Sequence, residues 1–252
     1  MKRKPTRFFI FGIQRSGTSL LVRLLDSHPE ILCMGEVLDN KFTYCHPLYK
    51  IPRYRLYLMH SIAHIILNIV TPRQVFTEYL DSIFNAYEHS TIGFKLMLNQ
   101  EQRYHSMRSY LQQYAFKVVH VKRENLLKTY VSRLRAQKTG VWHTTRAVEK
   151  KMLYLSPKKL LSNLDALAIE AKALDDAISE MGLDAITVCY EDFAFDGESE
   201  LHRVLDFLDV DANVTLQSPL RKITPDNLSK VIINYDEVVD LLSRTEYAAY
   251  LF

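Results

Sequence analysis

Short apolar runs, rich in β-branched and aromatic residues, alternate along the chain with longer stretches in which apolar residues recur every three to four positions. The first pattern predicts strands over Arg7–Ile13, Glu30–Met34, Thr91–Met97, Phe116–Lys122 and Ala185–Tyr190. The second predicts helices over Gly17–Ser27, Glu101–Tyr114, Asn125–Gln137 and Lys159–Met181. A further helix is expected after Asp196, with Leu201, Val204, Leu205 and Leu208 on one face. Strands this apolar are buried on both faces, so the expected fold is α/β, a three-layer sandwich around a central, mostly parallel sheet. The stretch from Asn40 to Ser90 breaks the alternation and reads as a helical insert in one domain covering 1–252.

Composition narrows this picture without changing it. Of 252 residues, 48 % are hydrophobic and 24 % charged, which excludes a disordered chain. The 32 Lys and Arg against 29 Asp and Glu leave +3, too little to imply a nucleic-acid partner. The basic start at Lys2–Lys4 precedes an apolar run only one strand long, which Arg15 soon interrupts, so it does not read as a signal peptide. The other long apolar stretch, Leu56–Val70, carries His60, His64 and Asn68 and falls short of the roughly 20 apolar residues that span a bilayer. Cys33, Cys45 and Cys189 show no CxxC spacing, so no zinc site or disulfide framework is expected. They read as the reduced thiols of a cytoplasmic protein without a membrane anchor.

The most informative stretch is Gly12-Ile13-Gln14-Arg15-Ser16-Gly17-Thr18-Ser19, set between an apolar strand and an apolar helix. Strand, small-residue loop and helix N-terminus form a cradle for a phosphate-like group, because backbone N–H groups and the helix dipole both favour negative charge. Gly12 and Gly17 have the spacing of a P-loop, GxxxxGK[ST], but Thr18 stands where a nucleotide triphosphatase carries its Lys. A P-loop-like cradle without that cation suits an oxyanion of lower charge, such as a 5′-phosphosulfate, with no metal required. Arg15 supplies a planar, multi-donor cation within the loop.

Other chemistry falls at strand ends. Lys122 and Arg123 close a buried strand, and Ser132 lies in the helix that follows, so a cation and a hydroxyl can converge on one anion at the carboxyl edge of the sheet. Glu36 follows Gly35 just beyond a short strand and can face the same cleft. Lys95 is the sole charge in an apolar strand and must point into a polar site, because a buried ammonium is costly unless paired. His28 is a second candidate base, although its Ser27-His28-Pro29 turn favours a structural role.

Gln14-Arg15-Ser16-Gly17-Thr18-Ser19-Leu20-Leu21 resembles the 5′-phosphosulfate loop of the PAPS-dependent sulfotransferases, with Gln14 in place of the commoner Pro. The resemblance extends to the bacterial, carbohydrate- and tyrosylprotein-type branch. It implies PAPS as donor, PAP as product and a hydroxyl-bearing acceptor such as a carbohydrate or lipid, with no metal. Gln14, Arg15, Ser16, Gly17, Thr18 and Ser19 would hold the 5′-phosphosulfate. Arg123 and Ser132 would hold the 3′-phosphate, at an interval of nine residues where the family more often has eight, which leaves Lys122 as an alternative to Arg123. Glu36 corresponds to the general base and Lys95 to a leaving-group contact, with Arg15 assisting. Val188-Cys189-Tyr190-Glu191-Asp192-Phe193 is similar to a Y-E-D-[LF] segment that brings Tyr190 to the adenine or 3′-phosphate, and Lys222 corresponds to a basic segment near the nucleotide. The rival readings are a P-loop kinase and a non-catalytic nucleotide-binding protein. The insert aromatics Tyr44, Tyr49, Tyr54 and Tyr57, with His60 and His64, suit either an acceptor pocket or a core.

Overall fold

The computed structural model describes residues 5–46, 48–142, 151–220 and 227–251. Strand β1 (Thr6–Gly12) leads into helix α1 (Thr18–Leu25) and strand β2 (Ile31–Glu36). A small antiparallel pair, β3 (Tyr44–His46) and β4 (Ile51–Pro52), precedes α2 (Tyr54–Met59), α3 (Ile62–Val70) and α4 (Pro72–Asn85). Then come β5 (Thr91–Met97), α5 (Leu98–Arg103), α6 (Ser106–Gln113), β6 (Lys117–Lys122) and α7 (Leu126–Thr139). The chain continues through α8 (Pro157–Met181), β7 (Ala185–Cys189), α9 (Tyr190–Phe195), α10 (Gly197–Phe207) and α11 (Tyr235–Leu242).

The five long strands form one parallel sheet in the order β2-β5-β1-β6-β7. Its central strand is apolar at both parities, as a strand covered on two faces must be. Phe9 and Phe11 pack on one side with Phe94, Phe116 and residues of α4, α6 and the end of α8. Phe8 and Ile10 pack on the other side with α1 and α10. The architecture is therefore a three-layer α/β sandwich of P-loop type. A separate apolar cluster joins α7, the first half of α8 and α11.

Three local features depart from the sequence pattern. The helix expected over 101–114 is two helices, because Tyr104 turns out of the helical path and packs its ring on Phe76 (5.4 Å) and Tyr54 (5.7 Å). Strand β2 continues past Met34 to Glu36. The segment after β2 opens with the small β3–β4 pair, held to the body by His46 Nε2 donating to Asp26 Oδ2 at 2.9 Å, before becoming helical. Of its three helices, α3 alone contributes no buried residue. Among the described residues no helix is long and apolar enough to cross a membrane.

Candidate active site

The carboxyl ends of all five parallel strands meet at one edge, the usual ligand edge of an open α/β sheet. There the 14–19 loop follows β1, Glu36 ends β2, Lys95 sits near the end of β5, Arg123 follows β6 and Tyr190 follows β7. Together they line a cleft of ≈ 540 Å³.

The loop is shaped by two backbone requirements. Gly17 has φ +105°, and a Cβ built there would lie 2.5 Å from the Tyr190 ring. Arg15 adopts φ +71°, a left-handed conformation that a non-glycine residue keeps only when its surroundings hold it. The restraints are visible: Arg123 Nη1 donates to the Arg15 carbonyl at 3.1 Å, and Arg133 Nε donates to the Gln14 carbonyl at 3.1 Å. Ser16 is fully buried and donates its hydroxyl to the Ile13 carbonyl at 2.9 Å, so it builds the turn instead of facing the cleft. Helix α1 then starts at Thr18 with no side-chain cap and no acidic residue in its first turn, leaving its positive end open to an anion. Gly17→Ala should cost about 1–3 kcal/mol through the forced backbone and the Tyr190 clash. Thermal unfolding checks this, and an unchanged Tm would exclude the contact.

Cations surround this helix end. Arg15 Nε donates to Ser132 Oγ at 3.0 Å, and its Nη1 donates to the Trp142 carbonyl. Arg123 lies over the Tyr190 ring, 4.6 Å from its centroid, and 3.9 Å from a Glu191 carboxylate oxygen. Burial, and next the Arg123 guanidinium, lower the Arg15 pKa. Two like charges held in a half-enclosed space are relieved by a bound anion. The nine-residue interval between Arg123 and Ser132 still brings both to the cleft, linked through Arg15. Lys122, by contrast, points to α8, 3.3 Å from Asp175.

Glu36 and Lys95 form the second half of the site. Lys95 is 6 % exposed, and its Nζ lies 2.9 Å from Glu36 Oε1 while donating to Ser19 Oγ at 3.0 Å. Gln100 Nε2 donates to Glu36 Oε2 at 2.9 Å, and Gln100 Oε1 accepts from the Met97 amide at 3.1 Å. Burial works against ionisation of Glu36, but Lys95, Gln100 and Arg53 together outweigh it and hold the carboxyl below the usual carboxylate range. The pairing depends on a bulge. Met34 is opposite Phe94 and Glu36 is opposite Lys95, with Gly35 as the extra residue between them. In unbroken register Glu36 would face the same apolar side as Phe94 and Leu96; the inserted residue turns it to the other side.

The sequence candidates thus divide. Gln14, Arg15, Gly17, Thr18, Ser19, Glu36, Lys95, Arg123, Ser132 and Tyr190 line one cleft. Lys222 lies outside the described residues. His28 is 2 % exposed, with Nδ1 accepting from the Glu30 amide (3.1 Å) and Nε2 donating to the Asp211 carbonyl (2.9 Å), so both nitrogens serve the fold. Tyr44, Tyr49, Tyr54, Tyr57, His60 and His64 do not line the cleft. Tyr54 instead packs on Phe76 and Tyr79. Sequence reading missed Gln100, whose position just beyond β5 was the available signal, and the bracing of the loop by Arg133. It also missed Arg53, which lines the cleft and binds Asp39. Among the described residues no three His, Cys, Asp or Glu side chains cluster to hold a metal.

A family model described as the sulfotransferase family matches residues 5–213. No curated protein matches the chain. Among solved structures it is similar to a sulfotransferase from Alicyclobacillus acidocaldarius, at 16 % identity and a TM-score of 0.49, covering 99 % of this chain and 94 % of that one.

Proposed function

Because the chain belongs to the sulfotransferase family, we propose that it moves a sulfuryl group from PAPS to the hydroxyl of a carbohydrate, lipid or small-molecule acceptor. One observation carries the reading: a carboxylate, an ammonium and a cradle hydroxyl, Glu36–Lys95–Ser19, form a hydrogen-bonded chain at the open end of α1. A site needing only to bind nucleotide has no use for a carboxylate held next to its cations.

The residues suit the donor's two anionic ends. The 14–19 loop, with Arg15 and Lys95, offers N–H groups and cations for a 5′-phosphosulfate, while Arg123, Ser132 and the Tyr190 ring offer a second anion site. Bound PAPS would supply the sulfuryl group and leave PAP as product. Glu36 takes the proton from the acceptor hydroxyl as that oxygen attacks. Its low pKa makes it an ionised but weak base while Lys95 is paired with it. When Lys95 turns to a negative oxygen in the cradle, Glu36 loses its strongest counter-charge and gains basicity at the same moment. Gln100 keeps the carboxylate aimed throughout. Arg15, positioned by Ser132 and the Trp142 carbonyl, adds a fixed donor to the charge that develops on the departing phosphate oxygen.

In this reading the segment around 40–90 forms the acceptor side, since its Lys41 and Arg53 line the same cleft as the loop residues. The free thiols of Cys33, Cys45 and Cys189 support a reducing, cytoplasmic location. Thermal shift separates this enzyme from a kinase. PAP at about 100 times its Kd should stabilise the fold by about 2.7 kcal/mol, whereas ADP with Mg²⁺ should leave the Tm unchanged. Stabilisation by ADP with Mg²⁺ and none by PAP would assign the cradle to a triphosphate instead.

A further inference from the structure

Helix α3 is built inside out. Ile62, Ile65, Ile66, Ile69 and Val70 fall on a single stripe of a 3.6-residue helix. That stripe faces solvent, with exposures of 77, 45, 56, 78 and 71 %. Its polar residues lie underneath: the His64 ring stacks on Tyr57 at 4.6 Å, and Asn68 Oδ1 accepts the Tyr54 hydroxyl at 2.7 Å. A helix that turns its hydrogen-bonding side to its neighbours and presents its isoleucines expects an apolar medium outside. Most of the large hydrophobic side chains exposed among the described residues fall between residues 42 and 70, so apolar exposure is concentrated in this part of the chain.

Charge identifies the occupant. Residues 40–77 contain Lys41, Lys50, Arg53, Arg55 and Arg73 and no Asp or Glu. Lys41, Lys50, Arg55 and Arg73 are exposed. A second copy docking face to face would bring these like charges together. An anionic lipid surface pairs with them and receives the isoleucine stripe at the headgroup boundary. We infer that α3 is an interfacial helix that seats the protein on an anionic membrane surface. Its nine residues lie on the bilayer and cannot cross it, since a span needs about 20.

The test is co-sedimentation of the full chain with vesicles, which reads binding without reference to turnover. The protein should pellet with phosphatidylcholine vesicles containing phosphatidylglycerol and far less with phosphatidylcholine alone. Ile62→Asp with Ile69→Asp alters side chains that are more than three-quarters exposed, so the Tm should hold while vesicle binding falls about 100-fold. Lys50→Glu with Arg73→Glu should lower it about tenfold or more. Failure of the unaltered protein to bind mixed vesicles, or full binding by the double-Asp protein, overturns the inference. So does a concentration-dependent dimer that the double-Asp change dissolves while vesicles stay unbound, which would give the stripe to a second copy.

Discussion

Lys95→Ala lowers kcat by about 10²–10³-fold or more and leaves PAP binding largely in place. The ammonium touches both halves of the site, Glu36 Oε1 at 2.9 Å and Ser19 Oγ at 3.0 Å. Its loss removes a preorganised cation from the developing charge, and water admitted to the gap does not replace it because water must reorient as the charge forms. The same change alters the acid limb of the pH profile. In the intact site Lys95 holds the Glu36 carboxyl low against the opposing effect of burial. Without it burial acts with less opposition, the carboxyl pKa rises, and residual activity is lost at a higher pH on acidification than in the unaltered enzyme. Turnover assays across pH, with calorimetric titration of PAP, check both parts. A kcat within threefold of the unaltered value, or an acid limb that stays where it was, would remove Lys95 from the chemistry.

Glu36→Gln lowers kcat by about 10²–10⁴-fold with the fold and PAP affinity retained. The amide fills the space of the carboxylate but cannot take a proton from an attacking hydroxyl. If the residue served only as a counter-ion for Lys95, the neutral amide would free the ammonium for the cradle and turnover would hold. If it is the base, binding holds and turnover falls. The two variants combined should cost much less than the product of the single losses, because each leaves the same pair broken. Additive effects, or a Glu36→Gln enzyme of normal kcat, would contradict the assignment.

Much of the framework was readable from hydrophobic pattern alone. Strands β1, β5, β6 and β7 lie within one residue of the apolar runs that predict them, and in the three inner ones, β5, β1 and β6, the cause is cover on both faces. Lys95 was legible for the same reason: a lone charge in such a run has to find a polar partner. Gln100 was not legible, since an uncharged amide beyond a strand looks like any loop residue until its carboxylate partner 64 positions earlier is in view. The break between α5 and α6 was hidden too, because Tyr104 leaves the helix to meet rings from α2 and α4, contacts far apart in the chain. Lys122 and Arg123 were inseparable as a pair of adjacent cations. Only the position of α8, which offers Asp175 to Lys122, and of the loop carbonyl that receives Arg123, tells them apart.

Because of the bulge at Gly35, the direction of the Glu36 carboxylate is written in the backbone register and not in residue identity. A table of preferred amino acids for β2 would rank Glu36 as a polar misfit beside Met34, with nothing to explain it. A strand that kept every residue but lost the bulge would leave each side chain chemically intact and still turn the carboxylate to the side of Phe94 and Leu96. Designers borrowing this scaffold therefore have to preserve the bulge between Met34 and Glu36 before they preserve any letter.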